Sequence, residues 1–290
     1  MARITTLKEA VANHINDGDT VAMEGFTHLI PHAAGHEVIR QRKKDLTLIR
    51  MTPDMIYDQL IGMGCAKKLV FSWGGNPGVG SLHRFRDAVE KQWPKSLEIE
   101  EHSHADMASA YQAGASGLPF AILRGYVGTD LPNFNPVIKR ISCPFTGEQL
   151  AAVPALKPDV AVIHAQKADR HGNVQIIGIQ GVQKEAVLSA KRAIVTVEEI
   201  VDSFDAPTNA IVIPHWVISA VCEVPGGAHP SYALGYYKRD NAFYSSWDAI
   251  ARDRETFSGW MEKFILGTED HAHFLEAFSS EYGVKWREAS

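Results

Sequence analysis

From residue 7 to residue 101, helical and extended segments alternate, and this alternation constrains the fold more than any other feature of the chain. Leu7–Ile15 has apolar residues at helical spacing, with Thr6 placed as its N-cap. Asn16-Asp17-Gly18-Asp19 turns into a short buried strand, Thr20–Met23. The same reading gives a helix over His32–Lys43, a strand over Leu46–Met51, a helix over Asp54–Ile61 and a strand over Leu69–Trp73. A helix over Leu82–Gln92 follows, and Leu97-Glu98-Ile99-Glu100 begins another extended segment. Short apolar strands, each followed by a helix, need a parallel sheet covered on both faces. The expected fold is α/β, an open αβα sandwich with a mostly parallel sheet flanked by helices.

The second half is less regular. Pro132, Pro136 and Pro144 fall in a stretch with little apolar periodicity, so a loop-rich excursion is expected around residues 130–150. Strands are expected at Asp159–His164, Val174–Ile179 and Ala193–Val197, with a helix over Val182–Ala190. Ala168-Asp169-Arg170-His171-Gly172-Asn173 is a hairpin signal. The aromatic- and charge-rich C-terminal stretch reads as helices packing on the body. No linker-like shift in composition divides the chain, so residues 1–290 are expected to form a single domain.

A formal charge of −5 argues against nucleic-acid or anionic-membrane partners while leaving small anionic substrates open. No apolar stretch reaches the ~18–20 residues that span a bilayer, and the N-terminus lacks the apolar core of a signal peptide. Cys65, Cys143 and Cys222 are widely spaced and form no CxxC pair, which suits reduced, buried, inert thiols. A cytoplasmic protein is expected.

The strongest local signal for chemistry is Phe71-Ser72-Trp73-Gly74-Gly75-Asn76-Pro77-Gly78-Val79-Gly80-Ser81. A strand, a loop with little side-chain bulk and a helix start follow one another, which lets backbone N–H groups approach an anion or oxyanion. The run matches neither the P-loop nor the G-x-G-x-x-G template, and a purely structural turn fits it equally well. His102 and His104 would share a face with Asp106 in an extended segment. No HExxH or second cluster accompanies them, so hydrogen bonding to substrate is preferred over a metal site. Arg84 and Arg86 could bind carboxylates bidentately or be surface charge. Glu100-Glu101 could place a carboxylate at a cleft or simply end an exposed strand. His164 and His229 are open between core, turn and site roles. No G-x-S-x-G nucleophile elbow occurs.

Several separated motifs occur together in order: Asp17-Gly18-Asp19-Thr20-Val21-Ala22-Met23-Glu24-Gly25-Phe26-Thr27-His28, the glycine run from Trp73 to Ser81, and Leu97-Glu98-Ile99-Glu100-Glu101-His102-Ser103-His104. Gly117-Leu118-Pro119-Phe120, His164-Ala165-Gln166-Lys167-Ala168-Asp169 and Val224-Pro225-Gly226-Gly227-Ala228-His229-Pro230-Ser231 complete the set. On these residues the chain resembles the A subunits of the family I coenzyme A transferases, in the glutaconate CoA-transferase branch. It departs from them at Glu24, where the family signature has glycine. The Ser-Glu-Asn-Gly motif that carries the family's catalytic glutamate is absent from the chain.

The resemblance implies that the glutamate comes from the family's B subunit in a hetero-oligomer, and that this chain is inactive alone. It implies ping-pong transfer from succinyl-CoA to a dicarboxylate, 3-oxoadipate in the branch nearest this sequence, through an acyl-glutamyl anhydride and an enzyme–CoA thioester. Coenzyme A is then substrate and covalent intermediate, with no resident cofactor and no metal. By the same resemblance Gly74, Gly75 and Asn76, with Ser81 nearby, would offer backbone donors to the oxyanion. Gly25, Phe26, Arg84, Glu101, His102, Ser103 and His104 would bind substrate. CoA-dependent decarboxylases and ring-opening hydrolases share the scaffold, and related folds serve as ligand-binding effector domains of regulators.

Overall fold

The computed structural model of the chain describes residues 2–76 and 80–283. The strands of the main sheet are β1 (Arg3–Ile4), β2 (Thr20–Glu24), β3 (Leu46–Arg50), β4 (Ala66–Phe71) and β5 (Glu98–Glu101) from the first half. A second, smaller sheet contains β6 (Phe120–Leu123), β7 (Lys139–Ser142) and β8 (Gln149–Pro154). Then come β9 (Val160–Asp169), β10 (Val174–Ile176), β11 (Arg192–Val201), β12 (Ile211–Ile213) and β13 (Ala220–Glu223). Along the path β1-β13-β11-β9-β2-β3-β4-β5 every neighbouring pair is parallel. The expected parallel architecture is present. The hairpin read at 168–173 is also present, with β10 running antiparallel to the end of β9.

The strands are apolar on both sides because both faces are covered. In β2, Val21 and Met23 enter one core while Ala22 enters the other. In β9, Val160 and Val162 likewise oppose Ala161 and Ile163. This is the two-residue period of a strand read out on two buried faces. One face is covered by α1 (Leu7–His14), α2 (His32–Arg40), α3 (Met55–Gly62) and α4 (His83–Lys91). The other carries α5 (His104–Ala115) and, after the four-residue α6 (Leu131–Phe134), α7 (Gln183–Ser189).

The C-terminal stretch forms α8 (Asn241–Arg252), α9 (Arg254–Met261), a π-turn over Glu262–Leu266 and α10 (His271–Tyr282). Asp240, Asp253 and Asp270 each cap the following helix with a side-chain oxygen. Their apolar faces meet edge-on: Phe243 lies 4.7 Å from Phe278 and Trp247 5.1 Å from Trp260 between centroids. Such pairs contribute about 1 kcal/mol each beyond the area they bury.

Residues 130–150, the excursion expected to be loop-rich, hold α6, β7 and the start of β8 with loop segments between them, and β7 and β8 belong to the small sheet. Strands β6, β8 and β7 pair antiparallel in that order. Ala121, Ala151 and Val153 pack on Ala110 and Ala113 of α5. Among the described residues no helix is long and apolar enough to cross a membrane.

Candidate functional site

Most of the candidate residues converge at one edge of the sheet. Neighbouring strands β2, β3, β4 and β5 run parallel, so their carboxyl ends open side by side. Open α/β sheets bind ligands outside these ends. Gly25 and Phe26 follow β2, Thr52 and Asp54 follow β3, Ser72 to Asn76 follow β4, and His102 to His104 follow β5.

The turn after β2 is tightly built. A Cβ on Gly25 would lie 2.7 Å from the Leu29 carbonyl oxygen and 2.9 Å from the Ile30 Cα, so only glycine fits. Thr27 and Leu29 have φ of 56° and 53°. Such left-handed backbone in non-glycine residues clusters where a site over-determines the chain. The Gly25 carbonyl accepts from Arg50 at 2.8 Å. Gly25 is therefore a packing residue, and Phe26 is the member of the pair that borders open space.

Glu24, the departure from the family signature, does not obstruct this edge. Its side chain turns inward, is 3% exposed, and accepts from the Met51 N–H at 3.2 Å and the Tyr111 hydroxyl at 2.9 Å. Burial raises its carboxyl to about 7 against the pull of Arg50. Arg50, the last residue of β3, pairs with Asp54 at 3.0 Å inside the protein.

The glycine loop differs from expectation in which donors it presents. The Gly75 N–H donates to the Pro53 carbonyl at 3.0 Å and the Asn76 N–H to the Gly80 carbonyl at 3.1 Å. Both are satisfied within the fold, so neither is presented outward. Among the described residues the Gly74 N–H has no acceptor, and neither atom of the buried Asn76 amide has a partner. Trp73 covers Gly75: a Cβ there would lie 2.7 Å from its ring. Pro77, Gly78 and Val79 of the run lie outside the described residues. Ser81 is exposed just before α4.

The N-terminus of α4 is not an anion site either. The Asp58 carboxylate of α3 accepts the Arg84 and Phe85 N–H groups at 2.8 and 2.9 Å, filling that position from within the protein. Arg84 points away from the edge, only 3% exposed, bonded to Asp87 and the Arg252 carbonyl. Its guanidinium sits over Trp93 and Phe257. As a carboxylate-binding candidate it is corrected to a core anchor for the C-terminal helices. Arg86 is exposed and pairs with Glu90.

After β5 the chain turns at once into a helix, so His102 and His104 do not share the face of an extended strand. Ser103 is the N-cap of α5, accepting from the Asp106 N–H at 3.1 Å. Both nitrogens of His102 are occupied, by Asp106 at 2.5 Å and Glu100 at 2.8 Å. Burial opposes the imidazolium, but these two carboxylates hold it at about 9. Tyr126 donates to Asp106, and Asn135 donates to the Glu101 carbonyl at 2.7 Å. His102 and Ser103 thus fasten α5 and the small sheet to β5. Glu101 is exposed, and His104 is exposed with Nδ1 3.1 Å from Ser72 Oγ, beside the glycine loop.

The other candidate histidines are held inside the protein. His164 is a satisfied core residue between Thr196 at 2.8 Å and Glu198 at 2.7 Å, and Glu198 also receives Tyr237 and the Gly226 N–H. His229 is buried, 3.5 Å from Asp240. Burial pushes the Cys65 and Cys222 thiols up to about 12. Cys143 is half-buried and its thiol is lowered by Thr146, which corrects the expectation of a buried inert group. Among the described residues no group of three or more His, Cys, Asp or Glu could hold a metal ion.

A cavity of about 160 Å³ opens at the carboxyl ends of β2 and β3, lined by Phe26, Thr27, Arg50, Thr52, Arg239 and Tyr244 among others. Sequence reading missed Arg50, Asp54 and Arg239. Arg50 ends an apolar strand, and Arg239 reaches the same place from far along the chain. A larger cavity, about 620 Å³, also lies at the carboxyl ends but beside the far strands β1 and β13, against the start of α10 and away from these residues.

Comparison with known proteins is consistent with this geometry. Residues 4–224 match the family described as Coenzyme A transferase. The chain is 71% identical over 274 residues to the A subunit of 3-oxoadipate CoA-transferase from Pseudomonas knackmussii, covering 94% of this chain and 97% of that one. It is 33% identical to the A subunit of glutaconate CoA-transferase from Acidaminococcus fermentans, covering 95% and 91%. The crystal structure of glutaconate coenzyme A-transferase from the same organism superposes with a TM-score of 0.89 at 31% identity, covering 97% and 94%.

Proposed function

The chain belongs to the coenzyme A transferase family, and we propose that it is the A subunit of an enzyme moving CoA from succinyl-CoA to 3-oxoadipate. The observation that carries this reading is the 71% identity to the 3-oxoadipate relative over 94% of the chain, against 33% to the glutaconate relative. The glutamate nucleophile comes from a different, partner chain, because this one lacks the Ser-Glu-Asn-Gly motif. That carboxylate attacks the succinyl thioester, giving an anhydride and CoA thiolate; the thiolate attacks the anhydride, leaving an enzyme thioester and free succinate. 3-Oxoadipate attacks the thioester carbonyl, expelling CoA thiolate and forming an anhydride with the glutamate. The thiolate then attacks the oxoadipyl carbonyl, releasing 3-oxoadipyl-CoA and regenerating the carboxylate.

Coenzyme A needs no helper cofactor in this scheme, and the complex works in the cytoplasm. Each addition passes through an oxyanion, and one preorganised donor is worth ~3–4 kcal/mol to such a state. The Gly74 N–H and the Asn76 amide are the donors this chain offers, with His104 and Ser72 beside them. The test is co-expression with a chain carrying the glutamate motif, followed by assay of succinyl-CoA against a panel of dicarboxylates. Transfer to 3-oxoadipate above the others is expected. A complex that prefers glutaconate, or that only hydrolyses the thioester, would overturn the assignment.

A further inference from the structure

The geometry points to the outward nitrogen of His104 as the group that takes the thiol proton of coenzyme A and holds its sulfur as thiolate between the two attacks of each half-reaction. This inference rests on the CoA-transferase reading above and adds a base to the donors of the glycine loop.

One serine fixes which nitrogen is free. Ser72 follows β4 directly, two residues before Gly74, and its hydroxyl donates to the Met51 carbonyl at 2.6 Å. A carbonyl oxygen only accepts, so the single hydroxyl hydrogen of Ser72 is committed there. His104 Nδ1, 3.1 Å from the same Ser72 oxygen, is therefore the donor in that contact. A neutral imidazole carries hydrogen on one nitrogen, which leaves Nε2 with its lone pair. Nε2 has no partner among the described residues, and the residue is exposed beside the glycine loop. His102, two residues earlier, has both nitrogens on carboxylates and is not available for this role.

An acceptor selects what it meets. The carboxylates and carbonyls of the acyl chains bring only lone pairs, which a neutral Nε2 repels. Their oxygens suit the Gly74 N–H, which has no acceptor among the described residues. At the reacting centre the group that brings a hydrogen is the thiol of coenzyme A. Like the thiol of a free cysteine, which titrates near ~8.5, it is mostly protonated at neutral pH, and the thiolate is the nucleophile. His104 is also the first residue of α5, a helix of 12 residues whose positive end favours an anion.

The proton balance closes. An expelled thiolate that takes a proton from water becomes a thiol. Nε2 removes that proton: the S–H bond breaks, the N–H bond forms, and the electron pair stays on sulfur. The thiolate attacks the anhydride at the glutamyl carbon, and succinate leaves as carboxylate. The imidazolium returns the proton to water once the sulfur is acylated, and the second half-reaction repeats the exchange. No proton is consumed over the cycle.

Two variants separate the two nitrogens. His104→Asn keeps a donor for Ser72 and puts nothing where Nε2 stands. His104→Gln reaches that place with an amide that does not take a proton. In single turnover of the two-chain complex with succinyl-CoA, both should form the enzyme thioester about 100-fold more slowly, the size of a lost general base. The KM for 3-oxoadipate should stay within about twofold. A raised KM at unchanged kcat, or the full rate in His104→Gln, would overturn the assignment and leave the transferase reading intact. A second measurement needs no turnover. Free coenzyme A on the wild-type complex at neutral pH should show the ultraviolet absorbance of a thiolate, and desulfo-coenzyme A should not. His104→Asn should lose that signal and regain it only as pH rises into the ordinary thiol range. A wild-type complex that binds coenzyme A as the thiol would overturn the assignment. A wild-type complex that forms no thioester from succinyl-CoA would instead overturn the transferase reading.

Discussion

The Tyr111 hydroxyl donates to the Glu24 carboxyl at 2.9 Å, joining the end of β2 to the body of α5. The same carboxyl holds the Met51 N–H at 3.2 Å, at the start of the turn that carries Pro53. One buried acid thus ties together the turn beneath the glycine loop and the helix whose first residue is His104. A glycine at position 24 could make neither bond.

Glu24 should give the protein a recognisable pH signature. Its folded carboxyl titrates at about 7, raised by burial from 4.5. The folded state therefore binds this proton more tightly than the unfolded state. The stabilisation is fully present below the unfolded value near 4.5 and is lost as pH rises through about 7. The full effect is about 3 kcal/mol. Glu24→Gln should flatten the decline in unfolding free energy between pH 5 and pH 8 by roughly that amount. Identical pH slopes in wild type and variant would contradict it.

Asn76 separates function from stability. A buried amide without a partner stabilises nothing, so Asn76→Ala should leave the melting temperature unchanged or slightly raised. If the amide meets the oxyanion, kcat should fall about 100-fold. Wild-type kcat in a folded Asn76→Ala complex would remove it from the site.

His102 should behave as a structural ion pair. Its imidazolium is held at about 9, and Glu100 is lowered to about 2 by the His102 hydrogen bond. The histidine contribution is complete below its unfolded value near 6.5 and is lost as pH rises through about 9. The Glu100 contribution is complete above 4.5 and is lost as pH falls through about 2. His102→Ala should cost about 3 kcal/mol at pH 7, because two carboxylates lose a shared partner. It should also remove most of the loss of stability between pH 7 and pH 10. Chemical denaturation across that range measures both.

Gly25→Ala places a methyl 2.7 Å from the Leu29 carbonyl oxygen, in backbone that cannot yield cheaply. A loss of about 2 kcal/mol is expected. Since Phe26 and Thr27 move with that turn, acceptor KM should rise with it. A variant as stable as wild type would show that the turn relaxes freely.

The parallel sheet was legible because strands buried on both faces are continuous apolar runs, as in Val160–Ile163 and Ile194–Val197. The small sheet was not: Lys139-Arg140-Ile141-Ser142 lies between prolines, pairs on one side only, and exposes its charges. The glycine loop could be found from composition alone. Which of its donors are already bonded depends on Pro53 and Gly80, and that is tertiary information. Arg84 and His102 have the residue types of a binding site, yet their surroundings make them anchors. Arg50 and Arg239 carry no local signal, since 189 positions separate them and only the fold brings them to one cavity.

The central claim is that this chain shapes the site but does not supply the nucleophile. Intact-mass spectrometry of the two-chain complex, quenched after mixing with succinyl-CoA alone, tests it directly. The CoA adduct should appear on the partner chain, with none on this one. A CoA adduct on this chain would contradict the account.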